Sequence, residues 1–320
     1  MRILVTGGAG YIGATAVAIL LSKGFEVSVL DDCSTGHKDS IPENVRFIRG
    51  SILDSTAIED ALTGCNAVMH FAGKSLVSES VEKPDLYRNV NIEGTRLLLE
   101  QMQYMGLKKI VFSSSASTYG DPAISPTPET QIGIPTNPYG ESKLAVDEML
   151  ARESSVNGIS AISLRYFNVA GAININGQWL AERHNPETHL IPMVLRSKPD
   201  EPVKIFGTDW PTPDGTCIRD YVHVIDLVDA HVSALNSLDA PSHTIINVGG
   251  GIGYSVREVI TASSRALGYD IPTVDASRRQ GDPAILVADI SRAKSLLNWE
   301  PVRNLEDMVR DTAHSIHPVR

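Results

Sequence analysis

The chain has 320 residues, of which 42% are hydrophobic and 21% charged, and its 38 acidic against 28 basic side chains give a formal net charge of -10. Such a length and composition fit a globular protein of one large or two moderate domains. The acidic balance excludes nucleic acid as an expected partner, since phosphate backbones call for a basic surface, and no apolar run approaches the roughly 20 residues that span a bilayer, so no membrane partner is expected either.

Ile3–Thr6 reads as the first strand and Tyr11–Lys23 as the helix after it. Glu26–Leu30, Val45–Arg49, Ala67–Phe71, Lys109–Ser113 and Ser160–Tyr166 read as further strands, separated by predicted helices at Ser55–Leu62, Pro84–Met105 and Pro138–Val156. Strands alternating with helices specify an α/β doubly wound parallel sheet with a ligand crevice at the carboxyl ends of its strands. Asp121–Pro138 holds five prolines without periodicity and is expected to be a semi-rigid loop near that crevice. Beyond about residue 172 the alternation loosens. Strands at Val203–Phe206, Thr244–Val248 and Ala284–Ala288 mix with helices at Leu190–Ser197, Val224–Leu235, Ser255–Leu267, Ser291–Leu297 and Leu305–His314. Residues 1–172 are therefore expected to form a dinucleotide-binding domain, to which a segment near 219–248 returns, and residues 173–320 a smaller mixed α/β substrate domain.

The first strand and helix are joined by Thr6-Gly7-Gly8-Ala9-Gly10-Tyr11-Ile12-Gly13, with Gly7, Gly10 and Gly13 three apart. Missing side chains allow a tight turn and let a pyrophosphate approach the helix N-terminus, whose free N–H groups and dipole favour an anion. The second strand runs into Asp31, placed to accept hydrogen bonds from adenosine ribose hydroxyls and to repel a 2′-phosphate, which favours NAD over NADP. A second glycine-rich stretch, Asn247–Gly253, lacks this spacing and is expected to expose backbone toward a substrate. Tyr139 and Lys143 share one face at the start of a helix, a spacing suited to a phenol whose ionisation a neighbouring ammonium and a nicotinamide ring would favour. Ser115, at a strand end, adds a hydroxyl at the ligand edge of the sheet.

These motifs resemble those of the extended short-chain dehydrogenase/reductase family, in particular its nucleotide-sugar 4-epimerases. The resemblance rests on the opening glycine motif, His70-Phe71-Ala72-Gly73, Ser113–Gly120, Pro138–Lys143, Leu164–Ala172, Phe206–Thr216, Arg219-Asp220-Tyr221-Val222-His223-Val224 and Arg278–Asp282, in order along nearly the whole chain. It implies a Rossmann domain holding NAD and reversible inversion at C4 of a UDP-hexose through a 4-keto intermediate. Catalysis would fall to Ser115, Tyr139 and Lys143. Cofactor contacts would fall on Gly7, Gly10, Tyr11, Ile12, Gly13, Asp31, Phe71, Ala72, Gly73, Asn91, Ser113, Tyr139, Lys143 and Tyr166. Substrate contacts would fall on Ser115, Asn168, Leu190, Phe206, Arg219, Tyr221, Val256, Arg279, Asp282 and Leu286, two arginines suiting a diphosphate. A homodimer through the Pro84–Met105 and Pro138–Val156 helices is also implied.

The chain departs from the family pattern at several positions. Ser51 replaces a common adenine-side Asp, Lys74 stands one place early with Ser75 in the usual lysine position, and His189 replaces an Asn of the uracil region. Leu286 replaces a bulkier tyrosine of some members, which leaves room for a 2-acetamido group and suggests UDP-N-acetylhexosamines as further substrates. Other nucleotide-sugar reactions of the family, dehydration, decarboxylation or reduction, are the rival readings. Ala116-Ser117 after Ser115 lack the Asp-Glu pair of dehydratases, and retention of all three catalytic types opposes a non-catalytic NAD-binding regulator. Cys33, Cys65 and Cys217 form no CxxC, and His70, His184, His189, His223 and His231 give no paired ligands on a helix face, so no metal is expected. Free thiols and an N-terminus that begins directly as a strand fit a cytoplasmic protein.

Overall fold

Short apolar runs that end at glycine or polar turns become strands buried on both faces. In the computed structural model, which describes residues 1–279 and 281–317, β1 (Arg2–Thr6), β2 (Glu26–Asp31), β3 (Arg46–Arg49), β4 (Ala67–His70), β5 (Lys109–Ser115) and β6 (Ser160–Tyr166) join Ser242–Val248 in one seven-stranded sheet. The order across the sheet is Ser242–Val248, β6, β5, β4, β1, β2, β3, and the β1–β2, β1–β4, β2–β3 and β4–β5 ladders are parallel. This is the doubly wound arrangement of a Rossmann sheet.

The accompanying helices are α1 (Tyr11–Ser22), α2 (Ser55–Leu62), α3 (Val77–Glu82), α4 (Pro84–Tyr87), α5 (Gly94–Tyr104) and α6 (Pro138–Asn157). Leu62, Leu98, Met102, Val146 and Leu150 from these helices bury against Leu4, Val68, Ile110 and Phe112 of the sheet. Asn137 caps α6 by accepting the Gly140 N–H at 2.9 Å, and Pro138 occupies the first turn, where a missing N–H costs nothing. The continuous helix expected over Pro84–Met105 is interrupted: Arg88–Glu93 forms a π-helical segment between α4 and α5. Among the described residues no helix is long and apolar enough to cross a membrane.

By compactness the chain divides into two units. The first comprises Met1–Tyr119, Gly133–Arg165 and Val228–Ile246, and the second Gly120–Ile132, Tyr166–Leu227 and Asn247–Arg320. A late segment thus rejoins the first unit, while most of the proline-rich loop belongs to the second. In the second unit Ile218–His223 pairs in parallel with Asn168–Ala170 and Ile285–Leu286 and antiparallel with Gly253–Ser255. Val203–Phe206 pairs in parallel with Thr273–Ala276, and Ile173–Ile175 forms a hairpin with Gln178–Leu180 inside the stretch that showed no period. Helices Leu190–Arg196, Val256–Leu267 and Leu305–Ile316 bury Ile191, Leu195, Val259, Met308 and Val309 together.

The second glycine-rich stretch does not do what its sequence suggests. Gly250 N–H and Gly251 N–H donate to the Asp220 carboxylate at 2.5 and 3.0 Å, and Ala288 N–H adds a third bond at 3.0 Å. Asp220 is fully buried, and burial raises its carboxyl to about 7 against the pull of these three donors. The glycines there bind the chain's own carboxylate, and a Cβ at Gly249 would lie 2.6 Å from it. Asp220 is accordingly an internal brace, not half of a surface ion pair with Arg219.

Candidate active site

The glycine motif turns sharply between β1 and α1. Gly7 has φ +67°, and a Cβ there would stand 2.6 Å from the Ala72 nitrogen, so glycine is required for β1 to pass the Phe71–Ala72 backbone. Gly10 differs, because a Cβ there would meet only the Gly7 carbonyl, at 3.3 Å. The protein itself hardly needs glycine at position 10, which fits a ligand phosphate passing over that backbone. Gly10 is the N-cap of α1 and supplies no side-chain cap, while Gly13 packs directly on Gly7 and Gly8. Tyr11 and Ile12 open the helix, half-buried. Asp31, at the end of β2, accepts the Ala9 N–H at 2.9 Å and the Cys33 N–H at 2.8 Å, and burial raises its carboxyl against both bonds. A carboxylate has about four acceptor positions, so Asp31 keeps capacity for ribose hydroxyls.

Ser51 Oγ accepts the Leu53 N–H, and Asp54 caps α2 by accepting the Thr56 and Ala57 N–H groups through one carboxylate oxygen. Lys74 Nζ lies 3.5 Å from Ser34 Oγ. Asn91, within the π-helical segment, is 97% buried and its amide is fully occupied. It donates to Lys74 O and Ser142 Oγ and accepts the Lys74 N–H, which ties the Gly73–Lys74 turn to α6. A Cβ at Gly73 would approach Asn91 Oδ1 at 3.0 Å and Lys143 Nζ at 4.0 Å.

The Ser115 hydroxyl lies near the Tyr139 phenol and favours its ionised form. Ser115 Oγ also accepts the Ser117 N–H at 3.1 Å, which starts the turn after β5. Lys143, 95% buried, donates to the Ser113 carbonyl at 2.7 Å and stands 5.8 Å from the Tyr139 ring centre. Burial raises the Tyr139 phenol, and the Ser115 hydroxyl opposes it, so the chain alone does not produce the lowered phenol that the spacing predicts. Burial lowers the Lys143 ammonium to about 8, with Asp147 holding it up.

Several members of this constellation escaped the sequence reading. Tyr87 packs edge-on against the Tyr139 ring at 6.4 Å and donates to the Leu76 carbonyl at 2.7 Å. His70 links β4 to β1 and to α5: its Nδ1 is 2.6 Å from Thr6 Oγ1 and its Nε2 is 2.9 Å from Thr95 Oγ1. Thr95 donates its own proton to Asn91 O at 2.6 Å, which makes His70 Nε2 the donor and Nδ1 the acceptor. Burial lowers His70 to about 3 and keeps it neutral. Asp147 lies one turn beyond Lys143 and is 99% buried. It receives two bonds from Arg165, at 3.0 and 2.9 Å, and one from Ser114 Oγ at 3.1 Å. The same i, i+4 rule that paired Tyr139 with Lys143 reaches Asp147.

The substrate-side residues of the second unit gather on adjoining strands. Arg219 stands opposite Leu286 in one ladder and Tyr254 in the other, and Val256 follows directly on the strand beside it. Arg219 Nη2 is 3.8 Å from Asp282 Oδ1, and among the described residues this buried nitrogen has no hydrogen-bond partner, as suits a cation that meets an anionic ligand. The Arg279 guanidinium lies 3.9 Å above the Phe206 ring. Asn168 Nδ2 donates to the Asp220 carbonyl at 3.0 Å, Tyr221 is buried, and Leu190 opens its helix half-buried. Tyr166 is buried at the end of β6, and Phe71 stacks on His231 at 4.7 Å. Gln280 of the last motif lies outside the described residues.

The chain belongs to the NAD dependent epimerase/dehydratase family, whose model matches residues 3–249. It is 45% identical to a UDP-glucose 4-epimerase of Corynebacterium glutamicum over 97% of this chain and 94% of that one. The solved structure of a UDP-glucose 4-epimerase from Brucella ovis in complex with NAD superposes with a TM-score of 0.93 at 39% identity, covering 98% of this chain and 97% of the other. A UDP-Glc/GlcNAc 4-epimerase from Campylobacter jejuni superposes with a TM-score of 0.86 at 35% identity, covering 99% of both chains.

Asp147 offers a direct test of the electrostatics. In Asp147→Asn the Lys143 ammonium loses the charge that supports it and falls below about 8, so the alkaline limb of the pH–turnover profile moves to lower pH. Arg165 is left buried without its counter-charge, a loss of about 3–5 kcal/mol in denaturant unfolding. An alkaline limb that stays in place would show that Asp147 serves Arg165 alone.

Proposed function

We propose that this chain interconverts UDP-glucose and UDP-galactose by inverting C4, with NAD retained through the cycle. The observation that carries the reading is the meeting of Ser115, at the carboxyl end of β5, with the buried Tyr139 phenol, and the Lys143 ammonium 5.8 Å from the Tyr139 ring centre. The Gly7–Gly13 turn and Asp31 would hold NAD, which would supply the hydride acceptor for C4 and the means of returning that hydride to the opposite face of the same carbon. Tyr139 as phenolate accepts the 4-hydroxyl proton when the hydride leaves and gives it back when the hydride returns. Ser115 holds the 4-oxygen through both transfers. Lys143, charged at neutral pH, favours the phenolate and reaches the nicotinamide ribose, and the positive nicotinamide ring supplies the rest of the phenol's lowering. Phe71, Ala72, Gly73, Ser113 and Tyr166 line the cofactor, and Asn91 keeps the Gly73 turn in register with α6.

Arg219 and Arg279 bind the diphosphate, and Asp282 takes the uridine ribose hydroxyls. Leu190, Phe206, Asn168, Tyr221 and Val256 shape the remainder of the UDP-sugar contacts. The desalted protein is expected to convert UDP-galactose to UDP-glucose without added NAD, as read by chromatography. Tyr139→Phe is expected to lose about 10²–10⁴-fold in turnover. No conversion with or without added NAD, or full turnover by Tyr139→Phe, contradicts this assignment.

A second activity follows from Leu286, half-buried opposite Arg219 where a tyrosine would fill more space. UDP-N-acetylglucosamine is expected to be epimerised as well, and Leu286→Tyr to suppress that activity while UDP-galactose turnover remains. Absence of UDP-N-acetylglucosamine turnover at millimolar substrate would remove this reading.

The protein further acts as a homodimer through α5 and α6. Leu98 and Leu150 are buried in the sheet core and Leu97 and Met149 pack against it, whereas Leu144 is half-buried and Tyr104 and Val156 of the same helices are exposed. Sedimentation equilibrium should give twice the 34.6 kDa chain mass, and a monomer at micromolar concentration would exclude the dimer.

A further inference from the structure

Four side chains that the epimerisation does not use meet between the Gln178–Leu180 strand and helix Leu190–Arg196. His184 Nδ1 stands 2.5 Å from Glu182 Oε1. His189 Nδ1 stands 2.8 Å from Glu187 Oε1 and 3.8 Å from Glu182 Oε2. The two imidazoles stack at 5.7 Å with 27° between their planes, and one ligand atom from each of Glu182, His184 and His189 lies within 4.8 Å of the others. His184 and His189 lie five residues apart in a loop. The fold of that loop, not a helix face, brings them together.

We propose that Glu182, His184 and His189 bind one first-row divalent cation of the Zn²⁺ type, with Glu187 in the fourth position. His184 Nδ1 is buried and, although it touches Glu182, makes no hydrogen bond among the described residues. A donor and an acceptor would align on each other, whereas two metal ligands direct lone pairs at a common point. Tetrahedral zinc, with bonds of about 2.0–2.2 Å, separates its ligand atoms by about 3.3 Å, and the separations here bracket that value. Imidazole nitrogens with carboxylate oxygens suit zinc and its first-row neighbours better than calcium or magnesium.

The carboxylates are also prepared. The Glu182 and Glu187 side chains are only 9% and 10% exposed. Glu187 Oε1 is oriented by the Thr188 and His189 N–H groups, each at 2.9 Å, and its Oε2 faces Arg196 Nη1 at 3.4 Å. Such supporting bonds hold metal-binding carboxylates in place.

The test is equilibrium dialysis of the metal-stripped full-length chain against Zn²⁺ without nucleotide, with Co²⁺ absorption as a second readout. One equivalent is expected to bind with Kd below about 10 μM, with intense visible Co²⁺ bands from a low-symmetry site. His184→Gln and His189→Gln should each weaken binding at least tenfold. Their metal-free unfolding curves should match the parent's, which separates lost ligands from lost structure. Binding weaker than millimolar, or binding that both variants retain unchanged, overturns the proposal.

Discussion

The position of β1 between β2 and β4, with β5 beyond β4, is the constraint on which the first unit's chemistry depends. Parallel strands deliver their carboxyl ends to one edge, so Thr6–Gly13, Asp31, Phe71–Gly73 and Ser113–Ser115 become neighbours although they span more than a hundred residues of sequence. Close approach of backbone to backbone makes that edge usable. Gly7 passes Ala72 at a distance that no side chain tolerates, and the neutral His70 of β4 is fastened to β1 through Thr6 and to α5 through Thr95. With Asn91 bonded to Ser142, the end of β1 and α6 are thereby parts of one hydrogen-bonded frame.

Charge within that frame is arranged in depth. Tyr139, Lys143 and Asp147 follow one another by single turns of α6, so a phenol, an ammonium and a carboxylate lie in sequence from the reacting edge inward. Burial alone pushes both Tyr139 and Lys143 toward their neutral forms. Asp147 opposes this for Lys143, and Arg165 with Ser114 secures Asp147 in turn. A buried charge is tolerated when paired and costly when not, so each member explains the next. The second unit uses the same economy at Asp220, whose carboxylate occupies the N–H groups of a glycine-rich turn that would otherwise attract a ligand.

Much of this was legible in the sequence. The strands of the first sheet are short apolar runs, and α2 and α6 begin at clear caps, Asp54 and Asn137, so sequence locates these elements within a residue or two. Ser115, Tyr139, Lys143 and the Gly7–Gly13 turn were legible because local spacing alone places them. What stayed hidden depends on contacts that spacing does not encode. The π-helical segment leaves no mark on hydrophobic period, so Pro84–Met105 reads as one helix and the clamp made by Asn91 is invisible. The stretch Asn247–Gly253 announces free N–H groups without saying that Asp220, some thirty residues earlier, takes them. His184 and His189 sit in an aperiodic loop, and only its closure makes them neighbours.

With NAD retained, the hydride that leaves C4 of the UDP-hexose would come back to the same carbon. UDP-galactose carrying deuterium at C4, incubated with the desalted protein in ordinary water, probes this directly by mass spectrometry of the UDP-glucose formed. Retention of the deuterium at C4 is expected. Its replacement by solvent hydrogen would contradict hydride return and point to proton abstraction at carbon instead.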